Sequence, residues 1–512
     1  MLLGDDYLWS FLGNLPSFVF LAGIVNGFVA VGHTDRRIHY LPSLAASARK
    51  IPRAIHPRLY SVYHAFKGDR HWDLYELHQK YDPIGHKANV QKSSWYSGFY
   101  SVSIFNAVDR DVHARKKRVM SHAFSDQALR GMEPHIISAI CDWCRALGDG
   151  LDPQTAPNVG EWSRPKDMAH YGACVIFDAL GEICFGRTFE TSVKEDSHFF
   201  FDLMALNVRI LNICEQMPIL RRLGLDTYLR RGTAASRQRQ IEFSRKQLRA
   251  RLAVTPDTTK RRDIIYYLQQ ARDPETGEGY SEAELISESL WCYFYGLDLT
   301  CYSNTALTAT FYFLTQHPNV LARLTDEIRR TFPDLESIVS GPLLQKMTYL
   351  RACLDESMRL CPPIPMLLPR EVLPGGLHVN QHFFPAGTIV SVPTYALHHS
   401  TEHFDRPFAY DPSRWLLRGS AAAREGEGIS ADVLTRQKRV FVPFSLGPQA
   451  CIGRNVALLV VEVSITRALW LYDVRIVPGM EHLGVGREGE YKIKDNFIVG
   501  KEGPVLQFRR RI

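Results

Sequence analysis

Along the body of the chain, apolar residues recur at three- and four-residue spacing between short polar breaks, the period of helices that bury one face. This spacing predicts helices over residues 111–123, 132–147, 169–185, 197–214, 233–253, 281–316 and 318–331. The stretch 281–316 contains no proline. At 1.5 Å per residue it makes a helix of roughly 50 Å, long enough to cross a whole domain. Pro318 suits the first turn of the next helix, and Pro362, Pro363 and Pro365 stop the one after it. Over 371–392 the pattern changes to short apolar alternation with turns at 374–376 and 385–387, a small sheet. Residues 416–439, rich in Ala, Gly, Glu and Arg, read as an exposed loop, and the tail 491–509 alternates like a closing β-hairpin. The expected fold class is mainly α with small β-sheets.

The amino terminus follows a different pattern. Residues 7–32 carry no Asp, Glu, Lys or Arg, which is enough chain to cross a hydrocarbon core of roughly 30 Å. Asp5 and Asp6 precede this stretch, while Arg36, Arg37, Lys50, Arg53 and Arg58 follow it, so the charge bias places the body on the cytosolic side. The organisation expected is a membrane anchor over 1–35, a basic connector over 36–70 and one large domain over 71–512. Asn14, Pro16 and Asn26 dilute the apolar run, and a cleaved signal or a buried hairpin stays open as an alternative.

Composition narrows the class. With 45% hydrophobic and 22% charged residues in 512, the chain buries a large core. The net charge of +7 is spread along the sequence instead of gathered in a block, which speaks against a nucleic-acid reader. Ten cysteines without a regular framework point to reduced thiols. Cys141 and Cys144 have C-x-x-C spacing but lie in a helical stretch with no second pair nearby, and most of the cysteines read as small buried hydrophobes. The G-x-G-x-x-G match at 484–489 lacks a strand–turn–helix setting and reads as a turn.

Cys451 stands apart. A Gly/Pro-bent apolar loop, 441–450, delivers it to the start of an apolar helix running from Gly453 to about Leu471. There, unpaired backbone N–H groups and the positive end of the helix dipole favour a thiolate. One thiolate is too few for a tetrahedral zinc site but suits the axial position of a haem iron, with Phe444 placed to pack beside the sulfur.

With this loop the sequence resembles the cytochrome P450 family of haem-thiolate enzymes, from about residue 70 to the end. The loop from Phe444 to Gly453 is similar to the family's haem signature, and Glu356 with Arg359 matches its E-x-x-R pair. The resemblance supplies Arg414 as the third member of a buried network. It also implies that His113 and Lys117, four residues apart, and Arg370 after the proline run meet the haem propionates. It further implies the P450 fold with a long central helix over the haem, haem b as cofactor, O2 as co-substrate and an NADPH-dependent reductase as partner. A single-pass endoplasmic reticulum protein with a cytosolic catalytic domain is implied as well. Residues 348–356 and 370–376 look like fungal members that act in secondary metabolism, and so point to a lipophilic small-molecule substrate. Pocket-lining candidates from the family topology are 95–106, 200–214, 295–303, 365–368 and Phe497.

Two departures from the family pattern carry consequences. Gln449 stands where the family usually has Arg, so a neutral hydrogen bond replaces one propionate ion pair. On the long helix, counting back from Pro318, the family's acid position falls on Cys301 and its alcohol positions on Tyr302 and Ser303. Asp298, Tyr302 and Thr305 share a helix face by spacing and could relay protons through water, or the tyrosine could simply fill space. The expected function is therefore a monooxygenase. A haem-thiolate isomerase, dehydratase or peroxide-using enzyme and a non-catalytic membrane-tethered binding protein stand as alternatives.

Overall fold

The structure, a computed structural model, describes residues 68–78, 89–98, 102–150, 160–194, 198, 201, 223–224, 234–253, 262–294, 297–365, 367–379, 382–496 and 498–511. The anchor expected over 1–35, nearly all of the connector, most of 197–214 and Phe497 lie outside the described residues. Helices α1 (Arg70–His78), α2 (Arg110–Ser121), α3 (Asp126–Leu147) and α4 (Met168–Phe185) precede α5 (Ala234–Leu252), α6 (Ile264–Gln270), α7 (Glu282–Phe294) and α8 (Leu297–Gln316). They are followed by α9 (Pro318–Thr331), α10 (Pro342–Gln345), α11 (Thr348–Leu360), α12 (Thr394–His398), α13 (Ala431–Val440) and α14 (Arg454–Leu471).

The helix starts have local causes. The Asp109 carboxylate accepts from the N–H groups of Asp111 and Val112 and opens α2, and Ser125 Oγ accepts from Ala128 N–H and opens α3. This cap starts α3 at 126 instead of the expected 132, and Pro134 lies inside the helix. Asp167 caps α4, which Gly186 ends at φ +72°. Among the described residues α4 alone is long and apolar enough to cross a membrane, but 83% of it is buried within the fold, as befits a core helix.

The stretch expected as one helix over 281–316 is helical in α7 and α8, residues 295 and 296 lying outside the described set. From 302 to 314 every residue of α8 is buried, because α8 packs against α4, α11 and α14 at once. It is therefore the axis of the core and carries small and aromatic residues on all sides.

The sheets are small. Strands β1 (Val90–Lys92), β3 (Arg370–Val372) and β6 (Ile389–Val390) form one sheet in the order β1-β3-β6, and β4 (Leu377–Val379) pairs with β5 (His382–Phe384). A second sheet has the order β2-β10-β7, from β2 (Lys166–Asp167), β10 (Val505–Arg510) and β7 (Tyr472–Ile476). The hairpin expected over the whole tail 491–509 is confined to β8 (Ile493–Asn496) and β9 (Ile498–Lys501). Gly503, at φ +66°, turns the chain out of it, and β10 then joins β7 with Phe508 opposite Val474.

The expected loop 416–439 needs a correction, since its last part is α13. Ser430 Oγ accepts from Val433 N–H, Asp432 lies in the first turn and Lys438 and Arg439 in the last, so caps and dipole form a helix where composition suggested none.

Candidate active site

The loop before α14 is bent by two left-handed residues, Ser445 at φ +59° and Gly447 at φ +68°. The first is a backbone region that few side-chain-bearing residues adopt. The bend folds the loop back so that Cys451 N–H donates to Phe444 O at 2.9 Å. Cys451 then lies two residues before Gly453, the N-cap of α14, within reach of the positive end of its dipole. Buried Val456, Ala457 and Val460 anchor that helix in the core, so the position of the sulfur is set by the fold.

Cys451 opens on a cavity of about 970 Å³, including its mouth. Met120 of α2, Leu180 and Cys184 of α4, Tyr302 of α8 and Ile364 and Leu368 give it apolar walls, and Phe444, Gln449 and Gly453 complete its floor. The Tyr302 and Phe444 rings are stacked with centroids 5.8 Å apart.

One rim is basic. Lys92, Lys117 and Arg370 line it with His113, and no Asp or Glu is among the described lining residues. Lys92 and Arg370 are directly opposite each other in the β1–β3 register, a placement that repels unless an anion sits between them. Lys92 Nζ donates to Ile104 O at 2.9 Å and also to Phe105 O. Lys117 Nζ donates to Pro448 O at 2.7 Å and Ala450 O at 3.1 Å, and Arg370 Nη1 donates to Tyr96 Oη at 2.9 Å. Burial lowers the Lys117 ammonium, an effect that Cys451 opposes. The His113 imidazole is pushed down to about 3 by burial, then by Lys92, Lys117 and Arg370. Gln449 Oε1 is buried with no hydrogen-bond partner. A thiol at a helix N-terminus, apolar walls and a cationic rim fit haem b, a flat apolar macrocycle carrying two carboxylates.

Behind the cavity, Glu356 of α11 receives Arg359 Nε at 2.8 Å and Nη2 at 2.9 Å, and Arg414 Nε at 2.9 Å. Trp415 Nε1 and Asp411 N–H also donate to it, at 2.9 and 3.0 Å. Burial acts to raise the Glu356 carboxyl, but Arg359 and then Arg414 bring it below its ordinary range. Arg359 Nη1 donates onward to His398 O at 2.9 Å, and Val442 N–H donates to His398 Nε2 at 3.0 Å. The network thus reaches the cysteine loop two residues before Phe444. The His398 ring is held far below its usual range by burial, then by His399 and Arg359, so it stays neutral and can accept.

The structure brings His113, Lys117, Arg370, Phe444, Gln449, Cys451, Gly453 and Tyr302 to one cavity. Ser303 does not line it: it is buried on α8 with Oγ lacking a hydrogen-bond partner. Asp298 lies within α8, its side chain outside what is described. Of the pocket candidates, Tyr96, Ile104, Phe105, Tyr302 and Leu368 are on the wall. Sequence reasoning missed Lys92, which belongs to no motif and reaches the rim through strand pairing alone. Within 484–489, Gly484 lies in a turn, Val485 bridges Tyr491 and Arg487–Gly489 form one 3-10 turn, and Cys141 Sγ accepts from Arg467 Nη1 at 3.0 Å while burial pushes the Cys144 thiol up.

Fold and site together are those of a haem-thiolate enzyme. Comparison agrees, since the family model of cytochrome P450 matches residues 61–485. The cytochrome P450 monooxygenase poxM of Penicillium oxalicum is 32% identical over 88% of this chain and 87% of its own length. Cytochrome P450 monooxygenase atnE of Emericella nidulans is 31% identical, covering 88% of this chain and 89% of its own. The crystal structure of the cytochrome P450DA heme domain has a TM-score of 0.62 at 18% identity, over 83% of this chain and 84% of that one. The chain belongs to the cytochrome P450 family. It is a monooxygenase, and its cofactor is haem b.

Proposed function

We propose that Cys451 would supply the sulfur that holds the haem iron and that Lys117 and Arg370, joined by Lys92, would hold the haem propionates, with Gln449 adding a neutral hydrogen bond. The observation that carries this reading is the cavity that joins a thiol at a helix N-terminus to a rim of three cations. Bound there, the haem supplies activation of O2 and transfer of one oxygen atom to a substrate C–H bond. Phe444 packs beside the sulfur and limits its access to water, and the network of Glu356, Arg359 and Arg414 fixes the loop that carries both. Tyr302, at the family's alcohol position and on the cavity wall, takes the place of the usual threonine in moving protons, with Ser303 and Asp298 on the same helix.

The substrate is a lipophilic small molecule, matched by Ile104, Phe105, Met120, Leu180, Ile364 and Leu368 on the walls. The likeness to fungal members supports an intermediate of secondary metabolism, electrons from an NADPH-dependent reductase and attachment to the endoplasmic reticulum through residues 1–35 with the body cytosolic. The test is the reduced carbon-monoxide spectrum. The parent should show the red-shifted band of sulfur ligation, and Cys451→Ser should lose it. Turnover with reductase, NADPH and isotopically labelled O2 should place one label in the product. An unlabelled, rearranged product would overturn the assignment.

A further inference from the structure

A second cluster of ligand-type side chains lies on α4. His170 and Cys174 are one helical turn apart and share a face, and His198 comes back against them. Cys174 Sγ is 3.7 Å from His170 Nε2 and 4.0 Å from His198 Nε2, and the two imidazole centroids are 4.5 Å apart. The three donor atoms lie within 4.8 Å of one another. With Zn–S at about 2.3 Å and Zn–N at about 2.0–2.1 Å, tetrahedral angles set the S···N edge at about 3.6 Å. The two observed S···N separations, 3.7 and 4.0 Å, are close to that edge and somewhat beyond it.

The surroundings hold this arrangement in place. Asp178, one turn beyond Cys174, accepts from Thr191 N–H at 2.9 Å and from Ser192 N–H at 3.0 Å, and Thr191 Oγ1 donates to Cys174 O at 3.1 Å. Thr191 and Ser192 are thereby fixed against α4, and His198 Nε2 donates to Thr191 O at 2.8 Å, a bond that coordination would replace. Both histidines are partly exposed while Cys174 is buried, so water has access to one side of the cluster.

We propose that His170, Cys174 and His198 bind a zinc ion, with water in the fourth position. One thiolate and two imidazoles suit a borderline-soft divalent ion and disfavour magnesium or calcium. Zinc from solution forms bonds to Sγ and to both ring nitrogens. The thiol proton passes to solvent, and the His198 proton moves from Nε2 to Nδ1, its hydrogen bond to Thr191 giving way to coordination. The ion ties residue 198 to the helix whose Leu180 and Cys184 form part of the cavity wall.

The test uses the full-length, haem-loaded enzyme. Metal analysis after brief chelator treatment should find about one zinc per haem. X-ray absorption at the zinc edge should show one sulfur at about 2.3 Å and two nitrogens at about 2.0–2.1 Å. Cys174→Ser should lose the sulfur shell and weaken zinc retention by about tenfold or more with haem content unchanged, and His170→Gln, which leaves the buried position alone, should weaken it likewise. Failure of zinc to bind the parent enzyme, copper in its place, or zinc with no sulfur neighbour overturns the proposal.

Discussion

Glu356→Gln removes one charge from a network whose partners are all enclosed. Glu356 and Arg359 are 0% exposed and Arg414 4%. The carboxylate accepts five hydrogen bonds, three from the two guanidinium groups, one from Trp415 and one from the Asp411 backbone. A glutamine has one carbonyl to accept with, and its amide places N–H groups against a guanidinium, donor facing donor. Two buried cations are left without their counter-charge. Removing one side of a buried pair costs about 3–5 kcal/mol. Orphaned buried donors add about 1–3 kcal/mol each, against a whole domain stability of about 5–15 kcal/mol. The variant should therefore unfold with at least about 3 kcal/mol less free energy in urea, followed by far-ultraviolet circular dichroism and by the Soret band of the haem. Glu190→Gln is the control, because its pair with Lys194 is half exposed, at 48% and 56%, and should be worth under about 1 kcal/mol. If both variants unfold within about 1 kcal/mol of the parent, the buried network is not what holds this face of the core.

Acid should weaken the protein in a defined window. His71 is pushed down to about 3 by burial and then by His399, and His398 lies well below the ordinary 6.5 for the causes already given. The unfolded chain binds protons at these positions near 6.5 and the folded chain does not until far lower, so stability falls as pH drops from about 6.5 toward 3. Protonated His398 can no longer accept from Val442 N–H, so the Soret band should lose its thiolate character over the same range. A unfolding free energy that is flat between pH 6.5 and 4 refutes this. Gln449→Arg puts a cation where a buried carbonyl lacks a partner; a gain of about 1–2 kcal/mol should slow haem transfer to apomyoglobin by about 5–30-fold, and unchanged transfer counts against a propionate role. Tyr302→Phe keeps the ring stacked on Phe444 but removes the hydroxyl. Product formed per NADPH should fall while the carbon-monoxide spectrum stays the same, and an unchanged ratio makes the tyrosine a space-filler.

How far the sequence could be read depended on whether the cause of a feature was local. Helix α9 starts where Pro318 says it should, and α4 starts within one residue of expectation because Asp167 caps it. The cysteine loop was legible because its chemistry needs a contiguous run: a bend, a thiol and a helix start. Helix α13 was missed because Ala, Gly, Glu and Arg through 416–430 hid the cap at Ser430 and the charges that follow it. The extent of α3 was missed for the same reason at Ser125. The His170, Cys174 and His198 cluster spans a turn that is pinned by Asp178, which no local pattern reveals.

Lys92 is the clearest case of a site residue that only the fold can place. Nothing around it in the sequence differs from other isolated lysines. Pairing of β1 with β3 sets it opposite Arg370, and the same rim receives Lys117 and His113 from α2, which lies on a separate element. Cations this close repel one another, and His113 is held down by burial and then by Lys92, Lys117 and Arg370. An anion bound at this edge of the cavity would relieve that repulsion. Lys92→Met should then act in two ways. It relieves the repulsion in the haem-free protein and raises the His113 imidazole back toward 6.5. It also leaves the carbonyl of Ile104 buried without its donor and removes one propionate partner, a loss of about 1–3 kcal/mol that should speed haem transfer to apomyoglobin by about 5–150-fold. The two effects separate the roles of the residue. Faster haem loss with an unmoved His113 titration, followed by nuclear magnetic resonance in the haem-free protein, would mean that Lys92 is only a backbone clamp. Movement of both identifies it as part of the anion site.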